Sequence, residues 1–269
     1  MVMNQYVLER DGCPLHYWLS DEAAITLPWL ILTHGAGVDH HMFDAQLPAL
    51  HGKCRVLTWD VRGHGLSRPM GKAFSMQIVV DDLLAILDQL SIRQAIFAGQ
   101  SMGGNVSQAM VQQHAERVDA LVLIDCACNT FSLSAIEKWA VKLTPALLKL
   151  YSQERLLRDS AKAAAITPAA QAYIYEAMKR IPRDELVTIL TEVTAVLHDD
   201  PAYRIPKPFL LVRGERDNAG AIAKQAPIWA AREPNCVRYV VIPDAGHNAN
   251  QDNPAFFNRV LLEFLAARR

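Results

Sequence analysis

The sequence predicts an α/β protein: a mostly parallel sheet with helices on both faces, and an all-helical segment inserted late in the chain. Three observations carry that expectation. Short, continuously apolar runs alternate with amphipathic stretches of helical period. One such run enters a helix through Gly99-x-Ser101-x-Gly103. From Asn129 to Arg204 the strand-like runs stop while the helical period continues.

Taken in order, Tyr6 to Glu9 and Pro14 to Ser20 flank Asp11-Gly12, the composition of a tight antiparallel hairpin at a sheet edge. Trp29–Thr33, Arg55–Trp59, Ala95–Ala98, Ala120–Ile124, Phe209–Val212 and Arg238–Ile242 are apolar through successive positions, as strands buried on both faces should be. Ser75 is placed to cap a helix carrying Val79, Val80, Leu83, Leu84, Leu87 and Leu90 on one side. Asn253-Pro254 opens another through Phe257, Val260, Leu261, Phe264 and Leu265. In the insertion, Ser134-x-x-Glu137 and Thr167-Pro168 read as helix starts, and Pro145 and Pro182 as breaks. With no Gly/Ser/Pro-rich linker in 269 residues, one unit is expected, a core of residues 1–128 and 205–269 bearing a helical lid over 129–204.

Composition narrows the partners. The 27 basic and 28 acidic side chains leave a net charge of −1, which argues against nucleic acid or an acidic membrane and for a small molecule. Met1 to Gly12 lacks the basic head and apolar core of a secretory signal, and no run approaches the length of a membrane span, so a soluble, cytoplasmic monomer or homodimer is expected. Five scattered cysteines without C-x-x-C spacing read as buried thiols.

The chemistry lies in three loops. A nucleophilic serine must stand on a sharp strand-to-helix turn, and small residues two positions to either side are needed because a Cβ there collides with neighbouring backbone; Gly99, Ser101 and Gly103 meet that demand. A serine hydroxyl is a poor nucleophile near neutral pH, so it requires a base and a carboxylate to orient that base. His247, in Asp-Ala-Gly-His after the last strand, is the expected base, and Asp217, in Gly-Glu-Arg-Asp after the preceding strand, the expected acid. Asp125, also just after a strand, is the alternative acid, with Asp244 and Asp60 as weaker rivals. The oxyanion formed on attack needs two N–H donors, expected from Met102, directly after the nucleophile, and Ala36 in the loop after the first long strand. His34 reads as a loop strut. His40-His41 has no third ligand at metal spacing, so no metal is expected.

His34-Gly-Ala-Gly37, Trp59-Asp-Val-Arg-Gly-His-Gly-Leu-Ser67, Gly99-Gln-Ser-Met-Gly-Gly104, Arg213-Gly-Glu-Arg-Asp217 and Ala245-Gly-His247 together resemble the α/β-hydrolase superfamily, in its group of lidded serine esterases, lactonases and carbon–carbon hydrolases. The resemblance runs from about Tyr6 to Leu265 and implies an eight-stranded sheet, a segment from Asp60 to Ser67 that is mainly a structural turn, and no cofactor. A serine at the elbow sets the chain apart from relatives that open epoxides or displace halide with an aspartate. The expected activity is hydrolysis of a small carboxylic ester or lactone through an acyl-serine. The alternatives are cleavage of a carbon–carbon bond in ring-fission products, for which Arg155, Arg158, Arg180 and Arg183 could meet an acidic dienoate, and a hydrolase-like small-molecule receptor. Some of the aromatics Phe131, Trp139, Tyr151, Tyr173 and Tyr175 are expected to line an apolar pocket above Ser101.

Overall fold

The computed structural model describes residues 1–21, 26–131 and 152–268. β1 (Met3–Arg10) and β2 (Cys13–Ser20) form the expected hairpin. Its two turn residues, Asp11 and Gly12, have φ of 50° and 77°, the positive pair that a two-residue hairpin turn of this hand requires. β3 (Trp29–Thr33), β4 (Arg55–Trp59), β5 (Ala95–Gln100), β6 (Val118–Ile124), β7 (Phe209–Gly214) and β8 (Cys236–Ile242) complete an eight-stranded sheet in the order β1-β2-β4-β3-β5-β6-β7-β8. β2 joins β4 antiparallel, and all later neighbours run parallel.

Short α1 (Leu47–Leu50) precedes β4, and α2 (Met76–Gln89) precedes β5. Ser75 caps α2 by accepting the Ile78 N–H, and Val79, Val80, Leu83, Ile86 and Leu87 bury the face toward the sheet. α3 (Met102–Gln113) follows β5 directly, and its first ten residues are buried. α4 (Gln153–Ala164), α5 (Pro168–Lys179) and α6 (Arg183–Ala195) lie between β6 and β7. Thr167 accepts the Ala170 N–H at the start of α5, and Pro182 stands immediately before α6, both as the sequence suggests. Ser134, Glu137, Trp139, Pro145 and Tyr151 lie outside the described residues. α7 (Ile222–Arg232), one-turn α8 (Ala249–Asp252) and α9 (Pro254–Ala266) close the chain, with Asn253 capping α9 as expected. No helix among the described residues is long and apolar enough to cross a membrane.

One strand departs from the sequence reading. β8 is the sheet edge, pairing only with β7, and Val237 and Arg238 are exposed rather than buried on both faces. Val237 and Arg238 point to opposite faces, and full burial is reached only at Val240 and Ile242, so the start of this edge strand is open on both sides.

Two features of the topology position the site. The chain lays β4 on one side of β3 and then crosses to lay β5 on the other, so the loops after β3 and β5 diverge to opposite faces and leave a crevice at their carboxyl ends. Below that crevice the segment after β4 is locked by polar contacts. Arg62 makes a two-pronged pair with Asp82 of α2, at 2.5 and 2.7 Å, with both side chains buried. Asp60 accepts the backbone N–H groups of His40 and Leu66 and meets the His40 ring.

Candidate active site

Ser101 stands between the last residue of β5 and the first of α3 with φ 50° and ψ −115°, a conformation that costs a non-glycine residue about 1–3 kcal/mol. The surroundings enforce it. A Cβ on Gly99 would run into the backbone of Gly103, and one on Gly103 into the Thr33 carbonyl of β3. A Cβ on Gly104 would come within 2.6 Å of Cys126. Strand, turn and helix are thus pressed together more tightly than any side chain allows, which is why the spacing of small residues was legible. The Ser101 N–H donates to the Ile124 carbonyl of β6, which pins the elbow to the neighbouring strand end.

His247 and Asp217 come together as expected. The His247 Nδ1 lies 3.1 Å from Asp217 Oδ1, and the carboxylate is wholly buried while the imidazole side chain keeps 14% of its surface exposed. A carboxylate only accepts, so this contact puts the ring proton on Nδ1 and leaves Nε2 as the free base. Asp217 Oδ1 also accepts the Ala219 N–H, which closes its own loop, and Oδ2 is buried without a hydrogen-bond partner among the described residues. Ser101 and His247 line one cavity of about 670 Å³, together with Ala36. No hydrogen bond joins the Ser101 hydroxyl to the His247 ring in this structure; such contacts commonly tighten only when substrate is bound.

Met102 is the first residue of α3, one of the positions whose N–H has no acceptor within its own helix. Ala36 sits on the cavity wall beside Gly37, whose φ of 84° turns the loop back under Met178 of α5. The neighbouring His34 is fully buried: its Nδ1 lies 2.7 Å from the Gly35 carbonyl, and its Nε2 accepts the Val61 N–H. That is the strut role. His40 stacks on Trp18 at 3.5 Å and His41 pairs with Asp44, so the two adjacent rings engage different partners.

Asp125 is near the site but does not meet the imidazole. Its Oδ1 accepts the Gly214 N–H at 2.6 Å and its Oδ2 the Ala249 N–H at 3.0 Å. It therefore ties the end of β7, three residues before Asp217, to α8, two residues after His247. Burial, and then the negative charge of Asp217, push its carboxyl well above the usual carboxylate range. Asp244 is an exposed partner of Arg216, and Asp60 is committed to His40.

Two residues that brace the site were not singled out by the sequence. Gln100 Nε2 donates to the His247 carbonyl at 2.7 Å, which links the residue before the elbow to the histidine loop. Asp252 accepts N–H groups from Ile166, Thr167 and Gly246, so it fastens the junction of α4 and α5 to that same loop. Gln100 lies inside the motif, where its position x hid it; nothing in the spacing around Asp252 marks it.

The helices between β6 and β7 contribute Ala165, Ile174, Met178 and Leu190 to the cavity wall. The expectation of aromatic lining is corrected for the described residues. Tyr173 donates to Asp39 and Tyr175 to Glu154, while Phe131 lies under the Arg232 guanidinium. Each of these rings has a polar or cationic partner and none of the three lines the cavity, whose wall among the described residues of the insertion is largely aliphatic. The arginines are also engaged elsewhere: Arg155 with Asp159, Arg158 with Glu154, and Arg180 with Asp39. None of these three, nor Arg183, lines the cavity.

A family model described as alpha/beta hydrolase fold matches residues 28–254. A 2-hydroxymuconate semialdehyde hydrolase of Pseudomonas putida is 29% identical, over 79% of this chain and 77% of the relative. Among solved structures, a hydrolase from Pseudomonas aeruginosa PA01 superposes with a TM-score of 0.81 at 28% identity, covering 97% of this chain and 98% of the other. The enol-lactonase from Burkholderia xenovorans LB400 does so with a TM-score of 0.77 at 27% identity, over 97% and 100%. With an eight-stranded sheet in this order, a strained serine after β5 and a family match across most of its length, the chain belongs to the α/β-hydrolase fold family.

Proposed function

We propose that the protein is a serine hydrolase that cleaves a small carboxylic ester or lactone through an acyl-serine intermediate. Ser101 Oγ attacks the carbonyl carbon and gives its proton to His247 Nε2, while Asp217 holds the ring and offsets the imidazolium charge. The oxyanion accepts from the N–H groups of Ala36 and Met102. Collapse of the tetrahedral intermediate breaks the carbon–oxygen bond, and the alkoxide leaves with the proton from His247. Water then loses a proton to His247, attacks the acyl carbon and releases the acid and free Ser101. The balance closes without a cofactor. The helices between β6 and β7 act as a lid that excludes bulk water and sets substrate size.

The observation that carries this reading is the meeting of three chain-distant loops: a strained Ser101 and His247 share one cavity, and His247 bonds Asp217 behind it. The test is turnover of short 4-nitrophenyl esters by the purified protein. Wild type should hydrolyse them, and Ser101→Ala should lose at least roughly 1,000-fold. Absent turnover in wild type, or equal turnover in the variant, ends the proposal.

A second reading keeps the same three residues but breaks a carbon–carbon bond, and the similarity to a 2-hydroxymuconate semialdehyde hydrolase favours it. It requires kcat/KM on a ring-fission dienoate far above that on any ester.

A further inference from the structure

We infer that the substrate carries a carboxylate remote from its reacting carbonyl, and that Lys162 and Arg216 select for it at the cavity wall. The inference rests on the serine-hydrolase reading and names its substrate class.

The cavity that holds Ser101 and His247 is lined by two cationic side chains from separate parts of the chain, Lys162 near the end of α4 and Arg216 in the loop after β7. No Asp or Glu lines it among the described residues. The remaining walls are mostly small or aliphatic, such as Ala163, Ile166, Ile174 and Leu190, so they offer a substrate anion no competing charge.

Three other cations of the insertion are paired within their own helices. Arg155, Arg158 and Lys179 each lie beside an acid three or four residues away on the same helix. Lys162 has no such ion pair among the described residues, although it is exposed and close to Asp159 in sequence. Arg216 does pair with Asp244, but both side chains are largely open to water, at 58% and 77%, so that contact is weak and readily exchanged for a substrate anion. The nearby Asp217 is fully buried and committed to His247 and Ala219, and forms no ion pair with either cation. Lys162 lies on the lid side and Arg216 beside the acid loop, so a carboxylate between them also orients the ester before attack.

The test compares two chromogenic esters of equal chain length, the 4-nitrophenyl monoester of glutaric acid and 4-nitrophenyl pentanoate. At low salt, wild type should favour the anionic ester by about tenfold in kcat/KM, chiefly through KM, and the preference should shrink as salt screens it. K162Q and R216Q should each cut that ratio by about three- to tenfold, with K162R restoring most of it. R158Q, whose guanidinium is paired with Glu154 outside the cavity, should leave the ratio unchanged. A wild-type ratio near one, or a ratio that survives both K162Q and R216Q, overturns the inference while the serine mechanism stands. Failure of wild type to hydrolyse either ester, or hydrolysis undiminished in Ser101→Ala, overturns the mechanism and the inference together.

Discussion

Replacing each of the two buried carboxylates by its amide separates orienting the base from bracing the loops. In Asp217→Asn, the group 3.1 Å from His247 Nδ1 loses its charge and presents either an amide oxygen or an amide N–H to the ring. The N–H orientation stabilises the wrong tautomer, and neither orientation offsets the imidazolium. Turnover should fall by roughly 1,000- to 10,000-fold, equivalent to about 4–5.5 kcal/mol of transition-state stabilisation. The fold should hardly notice, because the Asp217 carboxylate accepts one other hydrogen bond, from the Ala219 N–H. Asp125→Asn is the opposite case. Both Asp125 oxygens accept buried N–H groups, so whichever becomes NH2 faces a donor at Gly214 or Ala249. One unsatisfied buried donor costs about 1–3 kcal/mol, or a fall in Tm of roughly 2–10 °C for a domain of this size. Turnover should drop far less than in Asp217→Asn, since His247 keeps its partner. Steady-state ester kinetics and thermal unfolding of both variants supply the comparison. A larger loss of turnover in Asp125→Asn, with its fold intact, would make Asp125 the acid and refute the assignment.

Stability should fall in acid through the buried histidine pair His34 and His64, whose rings lie 5.0 Å apart. Burial first, and then the positive form of His34, push the His64 pKa down to about 3, and burial lowers that of His34 as well. The folded state thus binds fewer protons than the unfolded chain, so stability is full above about pH 6.5 and lost by about 1.4 kcal/mol per pH unit per group as pH falls toward their folded values. Thermal melts from pH 7 to 4 should show a shallower decline for His64→Gln; superimposable profiles would contradict this. Asp252→Ala removes the acceptor shared by Ile166, Thr167 and Gly246 and should cost about 1.5–3 kcal/mol in urea unfolding. An unchanged urea midpoint would show that the clamp carries no load. Gly103→Ala puts a methyl group into the Thr33 carbonyl and should cost about 3 kcal/mol or yield insoluble protein; wild-type stability would refute the crowding account.

What the sequence disclosed and what it concealed follow from the range of each constraint. The elbow was legible because the small residues its crowding demands fall within six consecutive positions, Gly99 to Gly104, even though Gly103 presses on the distant Thr33 carbonyl and Gly104 on Cys126. The order of Ser101, Asp217 and His247 was legible because each follows a strand, and parallel strands deliver their carboxyl ends to one edge. The edge position of β8 was not, since an apolar run does not record whether a further strand will pair beside it. Gln100 and Asp252 were hidden because their partners lie far along the chain, at His247 and at Ile166 to Thr167. Among the described residues, Tyr173 and Tyr175 do not line the cavity for a related reason: tyrosine hydroxyls seek polar partners, and these found Asp39 and Glu154.

The division between frame and roof explains how such a site could keep one chemistry while changing substrate. From the sheet side, His247 and Asp217 are braced by Gln100 to the His247 carbonyl and by Asp125 to Gly214 and Ala249. The cavity roof is made by Ala165, Ile174, Met178 and Leu190, apolar side chains on the helices between β6 and β7 whose contacts carry little directional demand. Substitutions there alter volume without disturbing the hydrogen bonds below. Among the described residues, two polar joins link the parts at the histidine loop: the Asp252 carboxylate with Gly246 on one side and Ile166 and Thr167 on the other, and the Asn248 N–H on the Ala164 carbonyl. That junction also lies close in sequence to Lys162. A shift of these helices would therefore act on Gly246 and Asn248, which flank His247, as directly as on Lys162, whereas a change of side chain at Ile174, Met178 or Leu190 alters the cavity without touching that junction.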